Sequence, residues 1–372
     1  SLHSPYFAPD YDPTIATGVD AMTAAAIDLF KKSLKQEPDH ISALIGLSTA
    51  LSHQVTKFNQ PHQLLVEARA HAEHAIRLDG SLAASWAALA FVDDASGDID
   101  LAISGYEKAV NLAPNHHSTV SSLAYLYTLK GRLADALKLN LSAIGSQQLY
   151  LDLQIAQTLE LLGMQVLADQ WYEKADVLSP DNVFVTYLRA QFYLSNNQIQ
   201  KAQELITSGI NKGIKRPELP ILQGIIDWKN KDHEAAKASF IEASKIDSNN
   251  VQTKALLLAL ELHTQTNQNS VDSFINQWLQ QPFTWPDQWV FSATLHAQND
   301  EPNKTFYDLE QAIKAGYRNH RWLQISPAFD TLRDHPKWLQ IIEAIQSDVA
   351  SQRQQVLKAD WLPEGFLNPQ SI

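Results

Sequence analysis

The sequence predicts an all-α fold: a right-handed solenoid, or α-α superhelix, of about eight to nine helix pairs with a C-terminal helical cap. Three observations predict it. Apolar residues recur in short runs at helical spacing. Small residues and turn breakers return in the same order about every 34 residues. The frame then stops at Tyr317, ahead of an amphipathic stretch that does not repeat it.

Residues 83–116 display the frame most plainly. Trp86, Leu89 and Ala90 share one helix face, and Gly97 and Asp98 break the pattern. Ala102, Tyr106 and Ala109 resume it at i, i+4 and i+7, and Pro114 ends it. The small Ala90 and Ala102 let two antiparallel helices approach. Trp86 and Tyr106 fill the space beside them as core, and Gly97 permits the tight turn.

In chain order, residues 1–21 lack the pattern and are expected to be irregular. Residues 22–40 match only a second helix (Ala26, Phe30, Ser33, Pro38), and 41–82 form a copy with a longer connection (Leu44, Leu47, Ala68, Ala72, Ala75). After 83–116 the frame recurs over 117–148 (Val120, Leu123, Ala124, Gly131, Ala136) and 149–182 (Ile155, Ala156, Gly163, Ala168, Tyr172). It continues over 183–216 (Ala190, Ala202, Ile206), where Asn197 replaces the turn glycine, and 217–250 (Gly224, Ala236, Phe240, Ala243). The copy over 251–285 has Ser270 in place of alanine, so looser packing is expected there, and 286–317 is a further weak copy (Trp289, Ala293, Leu309, Ala312). Residues 318–372 make the cap and tail. A terminal repeat leaves an apolar face uncovered, and Phe329, Leu332, Trp338, Ile341 and Ile342 are expected to cover it.

Composition narrows the function classes. A formal charge of −12 and the lack of a basic stripe argue against direct nucleic-acid binding by this region. The densest basic stretch, Lys201, Lys212, Lys215 and Arg216, is short. The chain has no cysteine, which removes disulfides, thiolate metal sites and cysteine nucleophiles together. Its longest apolar run, Trp86 to Val92, is too short to span a bilayer, so any membrane attachment is expected through a segment outside this sequence. The sequence opens on Ser1 and is expected to be part of a longer protein.

The large residue, small pair, turn, and then Ala, aromatic, Ala and Pro over Met22 to Tyr317 resemble the tetratricopeptide repeat family. That resemblance implies that the first helix of each pair lines a concave groove, at the second, fifth, ninth and twelfth positions of each copy. Those positions hold Phe91 and Asp94, then Ser118, Ser121, Tyr125 and Thr128, then Tyr150, Leu153, Gln157 and Glu160. Phe184, Tyr187, Gln191 and Leu194 follow, then Glu218, Ile221, Ile225 and Trp228. The candidate binding residues are Phe91, Tyr125, Gln157, Tyr187, Gln191, Ile225 and Trp228. The Lys, Asn and Arg set that clamps a peptide's terminal carboxylate in this family is missing, and Ser, Gln, Tyr and aliphatic residues stand there instead. A groove of rings, amides and hydroxyls suits a peptide, a protein segment or a small neutral ligand.

The segment from Ser326 to Ile342, SPAFDTLRDHPKWLQII, followed by SQRQQV, resembles the endings of repeat regions in bacterial CadC-like (ToxR-type) transcription regulators and some class III adenylate cyclases. So does DGSLAASWAALA from Asp79 to Ala90. This implies the periplasmic sensory part of a membrane-anchored transcription regulator. The alternative is a cytoplasmic or secretion-associated scaffold for protein assembly.

No enzyme chemistry, metal or cofactor is expected. His71 and His74 share a helix face but lack a third convergent ligand, and His116 and His117 fall in an inter-repeat turn. Asp93, Asp94 and Asp98 are expected in the turn between helices, where Asp caps the next helix. The sequence contains no glycine-rich phosphate loop, nucleophile elbow or HExxH motif.

Overall fold

A computed structural model describes residues 13–58, 60–146, 150–179, 182–279 and 285–368, with side chains from residue 21 onward. Regular structure among the described residues is helical throughout. A single helix, α1 (Pro13–Gln36), precedes the helices of the repeat frame, taken two by two in chain order. These are α2 (Ile41–Phe58) with α3 (Leu64–Leu78), α4 (Ala83–Ser96) with α5 (Ile99–Leu112), and α6 (His117–Leu129) with α7 (Leu133–Ser142). Next come α8 (Leu151–Leu161) with α9 (Gln165–Leu178), α10 (Val183–Ser195) with α11 (Ile199–Asn211), and α12 (Glu218–Lys229) with α13 (His233–Ile246). The last two are α14 (Val251–Thr264) with α15 (Gln268–Phe274) and α16 (Pro286–Gln298) with α17 (Pro302–Ala315). A tail of α18 (His320–Ile325), a 3-10 turn (Pro327–Leu332) and α19 (Pro336–Leu357) completes the order.

The turn inside most pairs rests on one residue in the left-handed region. Gly97, Gly131 and Gly163 have φ of 86°, 69° and 74°, and Asn197, Lys231 and Asp300 take 58°, 64° and 58° in the corresponding turns. In five of these turns the next amide returns to the carbonyl five residues back: Asp98 to Asp93, Met164 to Leu159, Gln198 to Tyr193, Asp232 to Asp227, and Glu301 to His296. This satisfies carbonyls that a helix end would leave unpaired. Within a pair the small residues allow contact. A Cβ on Gly105 of α5 would stand 2.8 Å from the Ala90 Cβ of α4.

Three expectations need correction. Residues 13–21 are helical, not irregular: proline suits the first helical position, and Ala16, Ala21, Ala24, Ala25 and Ala26 favour helix. The first twelve residues lie outside the described ones. Asp93 and Asp94 are buried in the last turn of α4, because that helix runs on to Ser96 before Gly97 ends it. Trp86 is only half-buried, its indole donating to the Gly80 carbonyl at 2.9 Å, whereas Tyr106 is buried. In the copy with Ser270, α15 is short and runs into a π-helical turn, Ile275–Leu279.

The chain divides into two compact units. Unit 1 is Ser1–Tyr127 with Ser142–Gln148, and unit 2 is Thr128–Leu141 with Leu149–Ile372. In unit 1, Leu47, Leu51, Val55, Leu65, Ala68, Val92 and Ala95 form a core under Ile27, Phe30 and Leu34. In unit 2 the core includes Tyr172, Phe192, Phe240 and Phe329. The tail belongs to unit 2 and does more than cap its last pair. The 3-10 turn packs on α16 and α19 on α17, yet α18 also packs on α10 and the 3-10 turn on α12. Phe329, Leu332, Trp338, Ile341 and Ile342 are buried.

Candidate functional site

In unit 1 the candidate residues of the first helices retain exposure. Phe91 of α4 and Tyr125 of α6 are each half-buried, and Ser118 is exposed. The Phe91 ring meets the His53 imidazole of α2 with centroids 4.8 Å apart. Burial, reinforced by Lys57, pushes His53 down to about 4, so the ring is neutral at neutral pH. Beyond Phe91 on the same helix lie two buried carboxylates. Asp93 is ion-paired to Arg69 of α3. Asp94 is 9 % exposed, its Oδ1 has no hydrogen-bond partner, and burial raises it to about 7.

In unit 2 three of the five candidate residues are buried, so Tyr187, Ile225 and Trp228 do not stand open to a ligand as expected. Tyr187, Ile225 and Trp228 are 3 %, 3 % and 4 % exposed, while Gln157 and Gln191 are half-buried. The tail packs on the helices that carry these three, α18 on α10 and the 3-10 turn on α12, and fixes itself by polar contacts at the turns that follow first helices. Arg321 of α18 donates to the Asn196 side chain at 3.3 Å, at the end of α10. Gln352 of α19 donates to the Gly131 carbonyl at 2.8 Å and accepts from the amides of Leu133 and Ala134 at 2.6 and 3.2 Å. Its neighbour Arg353 lies over Gly163, where a Cβ would stand 2.8 Å from Nη1. Arg318 pairs with Asp348 at 2.6 Å, and Gln298 donates to the Ala328 carbonyl at 2.6 Å. Helix C-terminal ends carry unpaired carbonyls and partial negative charge, so amides and guanidiniums suit them. Further along, Phe366 packs its ring near Trp171.

A polar register runs through the repeats that the sequence analysis missed. A group near the end of a first helix meets a group 12 residues later on the second: Tyr172 donates to Glu160 at 2.9 Å, Ser239 donates to Asp227 at 3.0 Å, and His296 contacts Asp308 at 2.7 Å. Asp94 and Tyr106 share the spacing, and the Asp94 charge helps burial hold the Tyr106 phenol protonated. The signal was in the sequence, as recurrent acid–tyrosine pairs at one spacing. Burial pushes Glu160 up to about 7, against the pull of the Tyr172 hydroxyl and of Arg321 nearby.

Histidines elsewhere turn to separate carboxylates. His71 faces Glu67 at 3.8 Å and His74 faces Asp39 at 2.9 Å. Among the described residues no three His, Asp or Glu side chains gather as a metal-binding group. No helix among them is long and apolar enough to cross a membrane. A shallow depression lined by Gln200, Glu204, Thr207 and Asn211 lies along α11, a second helix, outside the first-helix face.

Residues 83–116 match the profile of the tetratricopeptide repeat. A tetratricopeptide repeat protein from Parabacteroides merdae is 18% identical, with a TM-score of 0.53 over 63% of this chain and 91% of that one. This is a likeness of fold. Pseudomonas aeruginosa pilF is 15% identical (TM-score 0.42, 62% of this chain and 94% of that one). Yeast Tom70 is 13% identical (TM-score 0.49, 89% and 92%). No curated protein sequence matches the chain.

Proposed function

We propose that this array of tetratricopeptide-type helix pairs is a non-catalytic binding module whose unit 1 receives a peptide or protein segment on its first-helix face. One observation carries the reading. At the ninth position of each copy Phe91 and Tyr125 in unit 1 are half-exposed, as Gln157 and Gln191 are in unit 2, whereas Ile225 is buried. In unit 2 the helices that carry the buried Tyr187, Ile225 and Trp228, α10 and α12, pack against the chain's own tail. A segment of polypeptide is therefore already an accepted occupant of such a face. The finer reading is a sensory domain, periplasmic and part of a membrane-anchored bacterial regulator, supported by the wording of the ending from Ser326 onward.

The test compares partner capture by the wild type, by Phe91→Ala and by Tyr125→Ala. A partner held by the wild type and released by both variants supports the binding face, and undiminished capture by both overturns it. The regulatory reading requires a membrane helix and a winged-helix or cyclase domain upstream in the gene. A gene lacking them removes that part.

A further inference from the structure

We infer that His233 and His263, on consecutive helix pairs of unit 2, form a surface site for a copper(II) or nickel(II) ion, with water completing its coordination.

The two imidazoles come from different helices, His233 at the start of α13 and His263 in the last turn of α14. Their ring centres stand 4.7 Å apart, with the planes at 86°. Two imidazoles on one ion, each nitrogen about 2.1 Å from it and the bonds about 90–110° apart, place their ring centres about 4.5–5.2 Å from each other. The observed spacing falls inside that range. Turning an imidazole about its Cβ–Cγ bond swings the nitrogens and leaves the ring centre nearly in place, so spacing is the demanding condition.

Hydrogen bonding decides which nitrogen is offered. Gln298 of α16 donates through Nε2 to the Ala328 carbonyl at 2.6 Å, which leaves its Oε1 for the Nδ1 of His263 at 3.0 Å. An amide oxygen can only accept, so Nδ1 carries the proton and Nε2 keeps its lone pair. Helix α14 packs on α13 and on α16. With Nδ1 committed to α16, the lone pair of Nε2 is left for the side of α13, where His233 stands. A ligating histidine typically gives its second N–H to an oxygen held in place in this way. His71 and His74, by contrast, each turn to a carboxylate.

The donor set selects the ion. His263 is exposed and His233 half-buried, so an ion reaches the pair from solvent. Among the described residues no third His, Asp or Glu side chain joins them. Neutral nitrogens without carboxylates suit calcium and magnesium poorly. Sites of nitrogen and water suit copper(II) and nickel(II), copper the more strongly. A bound ion ties the start of α13 to the end of α14, and so one pair to the next.

The test titrates the full chain with Cu2+, followed by calorimetry and electron paramagnetic resonance. The chain has 13 histidines, so the readout is the difference between variants. Wild type is expected to show a two-nitrogen copper signal that His233→Ala and His263→Ala each remove, with copper affinity at that site lower by about tenfold or more. Gln298→Leu keeps both imidazoles and should weaken the same binding by about tenfold, through the lost partner of Nδ1. Copper should raise the melting temperature of wild type more than that of either histidine variant, and metal-free melts check that each variant folds. Equal copper binding by wild type and both histidine variants would overturn the site. A loss in His263→Ala alone would reduce it to a single imidazole and overturn it as well.

Discussion

Phe91 in unit 1 and Ile225 in unit 2 hold the same place in their copies, yet the ring is half-exposed and the isoleucine is 3 % exposed. The turn after α4 in unit 1 and the turns after α8, α10 and α12 in unit 2 share a left-handed residue and the same return bond. What differs is a segment far along the chain, α18 to α19, which lies against one face. A repeat frame sets the direction in which a side chain points. Whether that direction leads to solvent depends on residues outside the frame.

The sharpest way to break this comparison is truncation on each face. Trp228→Ala is expected to destabilise unit 2 by about 3–5 kcal/mol, the usual loss for a buried aromatic ring. Phe91→Ala should cost about 1 kcal/mol, as for a partly exposed side chain. Denaturant melts followed by hydrogen exchange assign each loss to its unit, and equal losses would remove the distinction.

A smaller effect tests the buried carboxylate under the tail. Glu160 has its folded value raised to about 7 from 4.5. The folded chain therefore binds this proton more tightly than the unfolded chain. Stability is lost as pH rises through that window, and the cost is complete above about 7. Glu160→Gln keeps an acceptor for the Tyr172 hydroxyl, so it is expected to stabilise by about 2 kcal/mol at pH 8 and negligibly at pH 4. Asp94→Asn should act in the same direction on unit 1, where no arginine opposes burial. Melting temperatures across pH, with and without each substitution, check the sign.

The smallest effect concerns the turns. Lys231 is exposed and takes φ of 64°, in a turn where other copies place Gly or Asn. Lys231→Gly should stabilise by about 1 kcal/mol or less, because glycine adopts the left-handed region without a Cβ clash. A loss on thermal melting would mean that the side chain matters more than the backbone.

Most of the helix pairing was legible because its determinants are local. Ala90 and Ala102 lie within one pair, and Gly97, Gly163 and Asn197 announce their turns without reference to anything distant. Trp86 misled because its register fits a core position while the Gly80 carbonyl holds its indole toward the surface. The helix from Pro13 was missed because its first part, residues 13–21, lies ahead of the first recognisable repeat. The destination of the tail was beyond reach. Ile341, Ile342, Ile345 and Val349 mark an amphipathic helix, but nothing periodic says that Gln352 meets Gly131, 221 residues earlier. Burial of Tyr187, Ile225 and Trp228 went unseen for the same reason.

That return contact also bears on how the chain is made. Arrays that touch only nearest neighbours can fold in any order and fray from either end. Gln352 on Gly131 closes a loop of most of unit 2, which raises contact order and ties early helices to late ones. During synthesis α8, α10 and α12 emerge well before α19, so their apolar inner faces must wait for it. Until then part of the apolar surface of unit 2 waits for its partner, whereas α1 to α5 have their neighbours at hand from the start.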